Sequence, residues 1–340
     1  MSTSSGEGHH AAGRRRGCLV YVRRALFIVV LLSVGLIVLG VVYQNVILDA
    51  QRRTYQAPGE LFAVDGHMMH ISCMGEGSPT VILEAGGISY SSEWYWVQHQ
   101  LAATRRVCAY DRAGMGWSEA SPAPRDGIQV ANELHELLIA ADIAAPYILA
   151  GHSYGGILNR IYADQYPAEV MGIVLVDTAI LLPDEFPTQA DFDQWKREND
   201  ILQGALWAAV RLGVYNLLID GEIHAFGYPQ DTAAELVALR SSNAAFDTYY
   251  AEGTLMRRVL TEQSNAASDL GTLPLAAIWA TELPPLNAAD AARYRTLQDD
   301  ILTYSSDSAA YYIEGSSHGS IIGNEGFAQQ VTDIIRQLAS

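Results

Sequence analysis

From residue 60 to the end of the chain, short runs of β-branched and aliphatic residues alternate with stretches of helical apolar spacing. This alternation constrains the fold more than any other feature. "TVILEAG", "RRVCAYD", "YILAGHS", "GIVLVDT", "LPLAAIWAT" and "AAYYIEG" read as strands, while "SEWYWVQHQLAA", "IQVANELHELLIAAD", "GILNRIYADQYP" and "GFAQQVTDIIRQLA" read as helices. Two further strands, "ELFAVDG" and "HMMHISCMG", meet at Asp65-Gly66, a dipeptide suited to a tight hairpin. Strands separated by helices imply an α/β fold, with a largely parallel sheet covered by helices on both faces. Residues 180–268 interrupt the alternation with helix formers and aromatics and no evident strand. The expected division is a core of 60–179 and 269–340 capped by a helical insertion of 180–268.

The first 59 residues belong to a different regime. Residues 1–13 are mostly Ser, Gly, His and Ala, and their composition predicts a disordered start to a basic tail over 1–24. The run "ALFIVVLLSVGLIVLGVVY", 25–43, carries no charge. It is close to the roughly 20 residues needed to cross a bilayer, whereas a cleaved signal core runs to only about 7–15. An uncleaved transmembrane anchor over 25–46 is therefore expected. Arg14, Arg15, Arg16, Arg23 and Arg24 precede the run and only Arg52 and Arg53 closely follow it. That bias keeps the N-terminus cytoplasmic and places the body outside the cytoplasm.

Charge and cysteine narrow the function classes. The chain has a net charge of −17, and residues 1–53 hold seven Arg against Glu7 and Asp49, or +5. The remainder thus carries −17 − 5 = −22, which disfavours nucleic acid as a partner. The 3 cysteines form neither a C-x-x-C motif nor a Cys/His cluster, so no metal is implied. Cys73 and Cys108 could pair in an oxidising compartment, but buried free thiols are the favoured expectation. "GMGWS" and "GHSYGG" lack the spacing of a dinucleotide loop, so no organic cofactor is implied.

The pattern G-x-S-x-G occurs twice, as "GHSYG" at 151–155 and "GSSHG" at 315–319. A nucleophilic serine on this pattern sits at a sharp strand-to-helix turn and needs a nearby base. Ser153 has the strand before it, the helix after it, and a downstream His318 at the end of a late strand. After Ser317, "SIIGNEG" does not look like an immediate helix. The second match therefore reads as the loop presenting the base, with Ser153 as nucleophile and His318 as general base. His67, His70, His99, His135, His152 and His224 read as surface or packing residues.

"VILEAGG", "YDRAGMGWSE", "GHSYGG" and "EGSSHGSII", in this order and spacing, resemble the α/β-hydrolase fold family over roughly residues 60–340. The resemblance is to serine esterase- or lipase-like members with a helical cap. It implies an oxyanion hole from the backbone amides of Gly87 and Tyr154, and a third triad member, an acid. The usual site after the seventh strand, "IWATELPPLNAAD", lacks the common Gly-x-x-Asp pattern and has Leu283 near the expected aspartate. Asp177 in "VLVDT", where some branches place the acid, is favoured; Glu282 is the alternative, and Asp290 is also near. Asp111, Arg112, Gly114 and Gly116 read as a structural turn without chemistry. A serine nucleophile argues against the carboxylate-using dehalogenase and epoxide-hydrolase branches.

These readings imply a membrane-anchored ester hydrolase acting on a small-molecule acyl ester, possibly lipid-like. Two alternatives stand beside it: an acyltransferase, amidase or iminopeptidase-like peptidase on the same triad, and a catalytically silent binding protein of this fold. In the cap, Trp207, Val210, Val214 and Leu217 recur at helical spacing. They could pack on the core, line a pocket, or dip into the bilayer.

Overall fold

The computed structural model describes residues 8–181, 186, 188–255, 257–283 and 288–339. Eight strands form one sheet: β1 (Glu60–Val64), β2 (His67–Met74), β3 (Thr80–Glu84), β4 (Val107–Tyr110), β5 (Tyr147–His152), β6 (Val170–Val176), β7 (Leu275–Glu282) and β8 (Ser308–Ser317). Their spatial order is β1-β2-β4-β3-β5-β6-β7-β8. The pairings β1/β2 and β2/β4 are antiparallel and the rest parallel. At the β1/β2 hairpin Asp65 and Gly66 both take positive φ, 46° and 84°, as a tight primed turn requires.

The period-2 pattern decides which side chain meets which layer. Tyr147 and Leu149 of β5 enter one apolar cluster, Ile148 and Ala150 the other. Both faces of β5 are buried, which is why it reads as a continuous apolar run.

Three helical groups complete the molecule. The N-terminal helix α1 (Gly8–Val42) continues through a π-helical stretch, Tyr43–Leu48, into α2 (Asp49–Arg52). Around the sheet lie α3 (Tyr95–Ala102), α4 (Gly127–Ala140) and α5 (Tyr154–Gln165). Between β6 and β7 come α6 (Gln189–Arg211), α7 (Val214–Ala225), α8 (Gln230–Arg240), α9 (Asn243–Tyr250) and α10 (Arg257–Ala266). Last are α11 (Ala288–Leu302), α12 (Ser320–Gly323) and α13 (Glu325–Leu338). Caps explain several starts: the Asp126 carboxylate accepts from the Ile128 and Gln129 amides, and Thr188 with Asp191 forms a capping box.

Three sequence expectations change, and one helix went unread. Residues 8–13 are helical rather than disordered, because extending an existing helix orders one residue per hydrogen bond gained; residues 1–7 lie outside the described residues. Cys73 and Cys108 are disulfide-bonded rather than free, since the antiparallel register sets them directly opposite on β2 and β4. The helix α11 was not legible, its apolar residues being too sparse for a clear period. The segment after Ser317 does turn immediately into a short helix, α12.

Candidate active site

Ser153 lies where β5 ends and α5 begins, with φ 53° and ψ −118°. Such a conformation costs a non-glycine residue about 1–3 kcal/mol and persists only where the surroundings enforce it. They do so here through hydrogen bonds. The Ser153 amide donates to the Val176 carbonyl at 3.0 Å, and the Ser153 carbonyl accepts from the Ala179 amide at 2.9 Å and the Thr178 hydroxyl at 3.1 Å. Close packing explains the glycines that follow. A Cβ on Gly155 would sit 2.4 Å from the Glu84 carbonyl oxygen, and one on Gly156 2.2 Å from Thr178 Oγ1. The turn leaves Ser153 partly exposed while its neighbours in β5 and α5 are largely buried.

Asp177 follows β6 and also has positive φ, 42°. Its amide donates to the Ile278 carbonyl at 2.7 Å, and its Oδ1 accepts from the Ala280 amide at 3.1 Å. Oδ2 lies 2.5 Å from His318 Nδ1. The Asp177 side chain is 7% exposed and that of His318 54%, so a buried carboxylate holds an accessible imidazole. His318 stands in the turn between β8 and α12.

A cavity of about 680 Å³ is lined by Ser153, Asp177, His318, Gly86 and Gly87, with residues of α7 and Arg240 of α8 closing it. A second, of about 380 Å³, is lined by Gly87, Ser153 and Tyr154 and by residues of α6 and α9. Ser153 and Gly87 thus border both. Glu282 is exposed and borders the larger cavity; among the described residues no hydrogen bond or ion pair joins it to His318. Leu283 and Ser317 also line that cavity, and the Ser317 hydroxyl is 3.0 Å from that of Ser320. Residues 284–287 lie outside the described residues, as does the side chain of Asp290.

The glycine loop after β3 is held by residues whose part the sequence did not reveal. The Glu93 carboxylate accepts from the Gly86 amide at 2.7 Å. Arg112 donates to the carbonyls of Ala85 and Gly86 at 2.7 and 2.8 Å. Ile88, next to Gly87, has φ 51°, and its carbonyl accepts from Arg240 Nε at 2.9 Å. Arg112, read from sequence as part of a turn, therefore braces the loop facing Ser153. Asp111 does serve the turn, accepting from the Ser91 and Trp117 amides and lying 2.9 Å from His70 Nδ1.

His152 corrects a second reading. It is buried and lines the larger cavity, with Nε2 donating to the His318 carbonyl at 2.9 Å. Its Nδ1 is 3.4 Å from Glu93 Oε1, an ion-pair distance rather than a well-formed hydrogen bond. Burial opposes its charged form, yet the Glu93 carboxylate, with Asp177 and the His318 carbonyl, outweighs burial and raises its pKa. Burial likewise opposes the Glu93 charge, and His152 overcomes it and lowers that pKa. Beneath the loop, burial raises Glu84 to about 7 even against its ion pair with Arg112. Adjacency to Ser153 was the one available signal for His152; no spacing marks Glu93 as other than a helix-start acid.

Residues 79–213 match the family model for the alpha/beta hydrolase fold. An uncharacterized Bacillus subtilis protein, YbdG, is 30% identical over 172 residues, covering 50% of this chain and 51% of that protein. The chain spans about half or less of the length of the first curated relatives it matches. A thermophilic esterase from Thermogutta terrifontis aligns with a TM-score of 0.60 at 16% identity, covering 83% of this chain and 99% of that one. An epoxide hydrolase from Bacillus megaterium aligns with 0.62 at 15% identity, covering 82% and 99%. At such identities the likeness is one of fold, and a fold shared by an esterase and an epoxide hydrolase leaves the chemistry to the site.

Proposed function

Because this chain is an α/β-hydrolase-fold protein, we propose that it is a membrane-anchored serine hydrolase cleaving carboxylic esters through an acyl-enzyme on Ser153. One observation carries the reading. Ser153, on its positive-φ turn, borders the same cavity as His318, whose Nδ1 faces the buried Asp177 carboxylate at 2.5 Å.

The chemistry follows from that arrangement. Asp177 accepts from His318 Nδ1–H, which leaves the Nε2 lone pair to take the Ser153 proton as Oγ bonds to the ester carbonyl carbon. The carbonyl π pair moves onto oxygen, where the Gly87 and Tyr154 amides donate to it. Collapse breaks the bond to the alkoxy group, which leaves with the proton from His318. A water then gives its proton to His318 and attacks the acyl carbon. Ser153 departs reprotonated, and the products are an acid and an alcohol.

Membrane attachment rests on one helix, Tyr21–Arg52, long and apolar enough to cross a bilayer, with its apolar stretch unburied. The arginine asymmetry and a Cys73–Cys108 disulfide, suited to an oxidising compartment, favour a body outside the cytoplasm. Protease accessibility of the body in intact cells tests that orientation; full protection would overturn it.

Fluorophosphonate labelling of the wild type, Ser153→Ala and Ser317→Ala tests the nucleophile. Labelling should vanish with Ser153→Ala and persist with Ser317→Ala; the reverse pattern would sink the assignment. Comparing acyl esters with aminoacyl amides separates esterase from peptidase. Faster cleavage of the amides would replace the ester reading.

A further inference from the structure

The anchor is docked on the cap, and the place where it docks defines a surface. Gln44 and Arg52, both buried, donate to the carbonyls of Ser241 and Ala238 at 3.0 and 2.8 Å. A Cβ on Gly40 would meet Leu212 at 3.0 Å, and one on Gly213 would meet the Tyr43 ring at 2.5 Å. Gly40 and Tyr43 belong to the uncharged run 25–43. The corner between α6 and α7, residues 212–213, therefore lies at the level of the last turn of the span.

Apolar exposure is concentrated at the same corner. Among the described residues beyond residue 60 there are 11 exposed large hydrophobic residues, and 6 of them are on α6 and α7: Ile201, Leu202, Trp207, Val214, Leu217 and Leu218. Leu217 is 69% exposed and Leu218 63%, and it is grouped rather than single apolar exposure that marks an interaction surface. Arg211 lies over the Trp207 ring at 4.0 Å, a cation–aromatic pair of the kind found at headgroup depth. The helices diverge at 93° from this corner.

The opposite side of α7 closes the larger cavity through Tyr215, Ile219, Glu222 and Ile223. One helix thus has Ser153 and His318 across the cavity on one side and exposed leucines on the other.

We propose that the α6–α7 corner is seated in the bilayer crossed by α1, so that α7 is the wall between membrane and cavity. The substrate is then an ester dissolved in the bilayer, with a long acyl or alkyl chain, which reaches Ser153 along α7. This deepens the ester-hydrolase reading and rests on it and on membrane anchoring. The strongly acidic body repels anionic headgroups, so the seat depends on apolar burial and a zwitterionic bilayer serves it.

The test uses the full chain reconstituted in phosphatidylcholine vesicles. The difference in tryptophan emission between wild type and Trp207→Phe isolates Trp207, and brominated phosphatidylcholine should quench that component. Unquenched Trp207 emission would overturn the seat, whatever the enzyme hydrolyses. Leu217→Asp/Leu218→Asp replaces two exposed side chains outside the catalytic machinery. It should slow turnover of a vesicle-dissolved long-chain ester at least about tenfold while leaving a water-soluble short-chain ester unchanged. Equal rates for variant and wild type on both esters would overturn the route. If the wild type cleaves neither ester and takes no fluorophosphonate, the hydrolase reading fails, and bromolipid quenching still decides the seat.

Discussion

Asp177 with His318 and Glu93 with His152 are both carboxylate–imidazole pairs beside Ser153, yet their surroundings differ. The first has a short 2.5 Å contact and an imidazole 54% exposed to the cavity. In the second the two groups are 3.4 Å apart and 7% and 6% exposed. In the proposed mechanism the accessible pair moves protons, whereas the enclosed pair positions others. Glu93 holds the Gly86 amide and His152 holds the His318 carbonyl. Pairing and burial alone do not make a general base; access to the reacting atoms does.

The sharpest way to break this contrast is to remove the accessible pair. His318→Ala should cut ester hydrolysis by about 10⁴-fold or more, measured as kcat on a soluble ester. Asp177→Asn should cost about 10³–10⁴-fold by misorienting the imidazole. Glu282→Gln, an exposed substitution, should stay within about threefold of wild type. A large loss with Glu282→Gln and none with Asp177→Asn would exchange the two acids.

The enclosed pair should show a smaller and different effect. Glu93→Gln should lower kcat about ten- to a hundredfold through a loosened glycine loop, with KM little changed and fluorophosphonate labelling slowed rather than lost. A unchanged kcat would reduce Glu93 to a packing residue. The pair also carries a pH signature. The raised His152 pKa contributes stability that is full below the ordinary value of 6.5 and lost as pH rises through the folded value. The lowered Glu93 pKa contributes stability that is full above 4.5 and lost as pH falls through its folded value. The stability gap between wild type and Glu93→Gln in urea titrations should therefore be widest between these two values and shrink on either side. A gap independent of pH would mean that the pair is not ionised.

The smallest effect on catalysis is expected farthest from both pairs. Opening the Cys73–Cys108 bridge should lower unfolding stability by about 2–4 kcal/mol while the folded protein keeps its ester turnover. Loss of activity before unfolding would tie the β2/β4 edge to the cavity in a way the contacts do not suggest.

Much of the fold was legible because its signals are local. All eight strands appear as short apolar or alternating runs; β3, β4 and β5 are buried on both faces, the edge strands β1 and β8 are not, and Asp65-Gly66 marked its own hairpin. The helix α11 escaped because its exposed residues carry no strong period, and α12 because four residues cannot. The disulfide was not legible, because cross-strand register is set by pairing at a distance of 35 residues. His152 was misread for a related reason: its neighbour in the chain was visible, but its partners Glu93 and His318 arrive from other segments.

The chain's own order of residues determined an apolar span, a two-sided sheet and a serine between strand and helix, because these depend on spacing within one turn or one strand. Only the tertiary structure decided which carboxylate meets which imidazole, that Arg112 and Glu93 brace the glycine loop, and that the N-terminal helix packs on the ends of α6 and α8 beside exposed leucines. Apart from Glu93 with Gly86, 7 positions apart, such contacts join residues tens to hundreds of positions apart. Their energies depend on distance and burial, which no local pattern encodes.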